Sequence, residues 1–78
     1  MINLSDIYKH TKSGNHYLLL YIGKETDKAR YVVIYQALYG NNEIWVRDFD
    51  EFFGSIKFQG EIKPRFQNVK IDRLPNIE

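Results

Sequence analysis

The sequence predicts a small all-β domain, a barrel or roll of five to six short strands with one short helical turn. Three observations point there. The apolar residues are strand formers: nine Ile, four Val and twelve aromatics stand against two Ala and one Met. They fall in short runs at roughly even spacing, separated by turn signals. The length, 78 residues, supports one modest core, and rolling or closing the sheet removes exposed edges in so small a domain.

The elements follow in order. Ser5 to Gly14 holds a polar entry strand around Tyr8 and a turn at Lys12-Ser13-Gly14-Asn15. Tyr17 to Ile22 is apolar on both faces, as a central strand is. Gly23 to Arg30 is charged and suits an exposed hairpin tip, and Tyr31 to Leu38 is the second strong strand. Tyr39-Gly40-Asn41-Asn42 is a turn rich in residues that tolerate positive φ. Ile44-Trp45-Val46-Arg47 alternates, with the aliphatic pair expected on the core and Trp45 and Arg47 on the opposite face. Asp48 to Gly54 reads as a single helical turn, with Asp48 as cap, Glu51 three residues on as in a capping box, and Gly54 at the end. Ile56-Lys57-Phe58 runs into a tight Gln59-Gly60 turn, and Phe66 to Ile71 can close the sheet. The whole, residues 1–78, is read as one domain, with 72–78 as a tail.

Composition narrows the function classes. Without cysteine there is no disulfide framework and no thiolate metal site, which fits a reducing compartment. The N-terminal residues lack the basic start and apolar run of a signal peptide, and the longest apolar stretch has strand length, so a cytoplasmic protein with no membrane association is expected. Eleven basic and ten acidic residues are interleaved, a net charge of +1 that disfavours bulk nucleic-acid binding. No nucleophile elbow, phosphate loop, zinc-protease or dinucleotide motif is present, so no enzyme activity and no cofactor is expected. His10 and His16 with Asp6 fall short of a metal ligand set. Asp48, Asp50 and Glu51 are explained by capping and the helix dipole.

The aromatic residues are more informative. Tyr17, Tyr21, Tyr31 and Tyr35 sit at even offsets within their strands, and one hairpin register would put all four on one side. They then either cover the core edge or form a stacking platform. Arg47 suits a fork onto a carboxylate or phosphate, or an internal partner such as Asp48 or Asp50. Phe66 is expected in the core, and Arg65 on the surface or in the same site.

The string Tyr35-Gln36-Ala37-Leu38-Tyr39-Gly40, followed by Ile44-Trp45-Val46-Arg47, resembles the DUF1653 family, small bacterial and phage domains of unknown function. Tyr8-Lys9-His10 with Lys12 and Gly14, the pair Phe52-Phe53, and Gly60 with Pro64-Arg65-Phe66 carry the resemblance over residues 8–67. Asp48 stands where the family usually has proline and Phe52 where it has methionine. Thr26-Asp27-Lys28 replaces Ser-Glu-Thr, Glu25 replaces a histidine, and the loop between His10 and Tyr17 is one residue longer. The resemblance implies an SH3-like barrel and supplies no function. It singles out eight polar or aromatic residues that a core does not require: His10, Lys12, Tyr35, Gln36, Tyr39, Trp45, Arg47 and Arg65.

That set suits an anionic or planar ligand. The expected function is a non-catalytic binding module whose aromatic and basic face takes a protein, a peptide or a small anionic, nucleotide-like ligand. The alternative is a small barrel that binds single-stranded nucleic acid through the tyrosines. A module that self-associates or packs on another protein, with Trp45 at the interface, stands beside both, and the sequence leaves the oligomeric state open.

Overall fold

The computed structural model describes residues 2–69. Strands β1 (Ile7–His10), β2 (His16–Lys24), β3 (Tyr31–Ala37) and β4 (Ile44–Asp48) precede a helical turn, α1 (Phe49–Phe52). Strands β5 (Ser55–Phe58), β6 (Glu61–Pro64) and β7 (Phe66–Val69) complete the chain of elements. A five-stranded antiparallel sheet has the order β4-β3-β2-β1-β7, and β5 and β6 form a separate two-stranded ribbon. The all-β expectation holds, with seven strands in place of five or six. The two sheets are not closed into a continuous barrel. The tail expected at 72–78 lies outside the described residues.

The strand missing from the sequence reading is β6. Its one aliphatic residue, Ile62, is 72% exposed, so no buried face announces it. A turn fixes it instead: Gln59 (φ 52°) and Gly60 (φ 80°) are both left-handed, as a two-residue type I′ hairpin requires. Backbone bonds tie the ribbon to the larger sheet. Arg65 N–H donates to Gly54 O and Thr11 N–H to Arg65 O, each at 2.9 Å. The buried Thr11 hydroxyl donates to the Pro64 carbonyl and accepts from Gln67 Nε2.

Register decides what the larger sheet buries. Tyr8 faces Tyr17, Leu19 faces Tyr35, Tyr35 faces Trp45, and His10 faces Phe66. These residues share the inner face, since side chains alternate along each strand. The core on that face is Tyr8, Leu19, Val33, Tyr35, Phe52 and Phe66. Between Leu19 and Tyr21 a bulge shifts the pairing with β3. One extra residue reverses the facing of the rest of the strand. Tyr21 pairs with Ile34 and is 63% exposed, whereas Tyr17 and Tyr35 meet edge to face at 5.3 Å. Tyr31, at the exposed start of β3, lies under the Lys24 ammonium. The four tyrosines therefore do not form one stripe.

Strand β4 also departs from expectation. Arg47 pairs with the fully buried Val33 and Trp45 with the buried Tyr35, so Trp45 and Arg47 face inward. Ile44 and Val46 point outward and are 59% and 64% exposed. The alternation is real, but the aliphatic pair is on the outside. The core is built of aromatic rings contributed by other elements, and the inner face beside β4 is left partly open.

Helix α1 supplies the central ring. The Asp48 carboxylate accepts from Asp50 N–H at 3.1 Å, as a cap does, while Glu51 turns to Arg47 and makes no capping box. Phe52 is fully buried and stacks on Phe66 with centroids 4.0 Å apart and planes 8° from parallel. Gly54 follows the C-cap residue Phe53 because a Cβ at 54 would stand 2.6 Å from the Asp50 carbonyl oxygen. Close approach, rather than a left-handed φ, explains the glycine.

Candidate functional site

The inner face of the larger sheet has two parts. Phe52 and Phe53 of the α1 region cover one, and the other is a recess of about 320 Å³ open to solvent. Strand register assembles the recess. β1 brings His10, β2 Tyr17, β3 Tyr35, β4 Trp45 and Arg47, and β7 Phe66. The β1–β2 turn adds Ser13 and Asn15, and the β3–β4 turn adds Tyr39. Its floor is the core itself. Phe66, stacked on Phe52, meets Tyr35 at 5.6 Å and Tyr17 at 5.7 Å, both edge to face.

Arg47, Tyr17 and His10 are each held by a neighbour. Arg47 Nε donates to the Tyr35 hydroxyl at 3.2 Å, Nη1 lies 3.7 Å from Glu51, and the guanidinium sits 5.7 Å from the Phe66 ring centre. A guanidinium fixed by three neighbours loses little freedom on meeting an anion, and its remaining N–H groups can donate. The Tyr17 and Tyr39 hydroxyls bond each other at 2.8 Å. Burial, then that hydrogen bond, pushes the Tyr17 hydroxyl up to about 12, so it is a neutral donor and acceptor at physiological pH.

His10 is oriented by its own turn. Ser13 N–H donates to Nδ1 at 3.2 Å and Ser13 Oγ lies 2.9 Å from the same atom. Nδ1 thus accepts, which puts the ring proton on Nε2. Burial lowers the His10 pKa, and the positive charges of Arg47, Arg65 and Lys12 lower it further. The three cations that oppose protonation of His10 lie on its side of the recess, with the Glu51 carboxylate against Arg47. Among the described residues, no group of three or more His, Cys, Asp or Glu is placed to hold a metal ion.

Of the eight residues singled out from the sequence, five line the recess: His10, Tyr35, Tyr39, Trp45 and Arg47. Three do not. Gln36 faces away and its Nε2 donates to Asn42 O at 2.9 Å, bracing the β3–β4 turn. Arg65 Nε donates to Glu51 O at 3.0 Å, and Lys12 is exposed; each meets the site only as a charge that helps lower the His10 pKa. The partners expected for Arg47 were Asp48 or Asp50, but Glu51 and Tyr35 take that place and Asp48 lies 3.7 Å from Arg30. Ser13 and Asn15 were legible only as a turn, and Phe66 only as core.

Fold and recess define a small all-β domain that keeps part of its aromatic inner face open, with Arg47 and His10 at the opening. Comparison with known proteins agrees on the fold and gives the lineage. The family profile "Protein of unknown function (DUF1653)" matches residues 6–68, most of the chain, and the chain belongs to that family. A crystal structure of a DUF1653-family protein from Bordetella bronchiseptica aligns with a TM-score of 0.76 over 87% of each chain. The two sequences are 24% identical, so the likeness speaks to fold alone. No curated protein matches the chain.

Proposed function

We propose that the domain is a non-catalytic binding module whose recess takes a small ligand with a planar apolar body and an anionic group. One observation carries this reading: Trp45 and Arg47 of β4, Tyr39 of the β3–β4 turn and His10 of β1, three separate segments, converge on one recess floored by Tyr35 and Phe66. Trp45 and Tyr39, about half exposed at the rim, offer ring faces, and Arg47 and His10 Nε2–H offer donors to the anion. A volume of about 320 Å³ is at the small end for ligand sites and suits a single ring system or one to two peptide residues.

The test is a titration of labelled nucleotide and acidic-peptide libraries against wild type, Arg47→Ala and Trp45→Ala. Binding by wild type that weakens 10-fold or more in either variant, as loss of about 1.4 kcal/mol implies, supports the reading. Equal and negligible binding by all three proteins refutes it. The tyrosine platform that would favour single-stranded nucleic acid is divided by the β2 bulge. A gel shift at low and moderate salt separates the two readings, because a phosphate-dominated complex weakens steeply with salt.

A further inference from the structure

We infer that two copies of the chain associate through β4, in an antiparallel pair centred on Trp45 that brings their recesses side by side. The pairing is argued from β4 itself and needs no ligand, although it brings Glu43 of the other copy to Arg47, the residue proposed above to meet an anion. Strand β4 is an edge of the larger sheet, with β3 as its one sheet neighbour among the described residues. Natural edges are blunted by proline, bulges or charge along the strand. In β4 the run Ile44-Trp45-Val46 has none of these and its residues are 59%, 46% and 64% exposed, while the charged Arg47 and Asp48 close the strand.

Backbone parity shows which groups are free. Ala37 N–H donates to Glu43 O at 2.9 Å, so Glu43, Trp45 and Arg47 turn their peptide groups toward β3. Ile44 and Val46 therefore turn theirs outward, away from the sheet. A two-fold pair centred on Trp45 sets Ile44 of one copy against Val46 of the other, twice, with about four main-chain hydrogen bonds. It also sets Glu43 against Arg47 at both ends and Trp45 against Trp45 in the middle, an apolar and charge-matched register. Centring on Val46 instead would set Ile44 against Asp48, Trp45 against Arg47 and Glu43 against Phe49. Charge and apolar complementarity thus select a second copy of this chain in the first register. Since Trp45 is on the rim of the recess, each copy would supply a wall to the site of the other.

A five-residue strand pair makes a small interface, so association is sought by sedimentation equilibrium from about 10 μM to about 1 mM. The mass of wild type is expected to rise toward the dimer, and that of Val46→Lys, checked for folding by circular dichroism, to stay monomeric. Amide exchange at Ile44 and Val46 of wild type is expected to slow as concentration rises, a readout that needs no variant. The chain has no cysteine, so single replacements report register: under mild oxidation Trp45→Cys is expected to cross-link faster than Val46→Cys. A wild type that stays monomeric throughout overturns the inference. So does a dimer undiminished in Val46→Lys, or faster linking through Val46→Cys.

Discussion

Phe52→Ala is the substitution whose cost the structure fixes best. The ring is fully buried, stacks on Phe66 at 4.0 Å, and meets Tyr35 at 5.1 Å and Tyr8 at 5.3 Å edge to face. Removing it leaves a cavity bounded by rings that cannot collapse without losing their own contacts, which puts the cost at about 3–5 kcal/mol. A domain of this length has roughly 4–12 kcal/mol of total stability. The variant is thus expected to lose between roughly a quarter and all of the wild-type margin. With a urea slope of about 1 kcal/mol/M, its midpoint falls by about 3 M or more. Equilibrium unfolding followed by Trp45 fluorescence and by far-ultraviolet circular dichroism measures both the loss and its cooperativity. Two companions sharpen the test. Phe52→Met keeps most of the volume and is expected to cost less than about 1.5 kcal/mol. Phe53→Ala, at a half-buried ring, is expected to fall between the two. A loss under about 1 kcal/mol in Phe52→Ala, or equal losses at Phe52 and Phe53, would refute the assignment of Phe52 as the central ring.

Three further outcomes rest on local geometry. His10, whose pKa is lowered by burial and then by Arg47, Arg65 and Lys12, is expected to titrate below 6.5 in a proton NMR titration, and Arg47→Gln to move it upward; no movement would remove Arg47 as a cause of the lowering. Because the unfolded chain binds that proton more readily, stability due to this group is present above pH 6.5 and lost as pH falls below it, a dependence that His10→Asn should flatten. Tyr17, raised to about 12, favours the folded state below pH 10 and loses that contribution as pH rises from 10 toward 12; the phenolate absorbance of wild type minus Tyr17→Phe should show a step near the upper value, and a step near 10 would contradict it. Gln59→Asn puts a residue that tolerates the left-handed region at φ 52° and should recover part of the roughly 1 kcal/mol that an ordinary side chain loses there, raising Tm by about 2–4 °C; a lowered Tm would count against the type I′ turn.

The fold was legible because several local signals agreed. Strand composition, the Gln59-Gly60 and Lys12 to Asn15 turns, and the Asp48 cap each stood in the sequence at the place where the chain uses it. The site was legible in part, and the misses share a cause. Alternation along Ile44-Trp45-Val46-Arg47 showed two faces without saying which was inner. The usual preference for aliphatic cores pointed the wrong way, because here the buried face is aromatic and Trp45 and Arg47 border it. The tyrosine stripe failed at a single bulge, which no period-2 pattern announces. Ser13 and Asn15 carry no marker beyond turn propensity, and they reach the recess only because β1 and β2 pair in register.

The stack of Phe66 on Phe52 has a bearing on how relatives of this chain can diverge. One face of Phe66 belongs to the core and the other looks into the recess, so a change that reshapes the floor also alters the packing that keeps the domain folded. The rim is under no such constraint, since Tyr39, Trp45 and the Ser13–Asn15 turn touch solvent as much as core. Drift in what the recess accepts should therefore accumulate at the rim while the floor stays aromatic. The shared ring also turns any occupant into a stabiliser of the whole domain, so an upward shift in thermal unfolding is a direct way to find it.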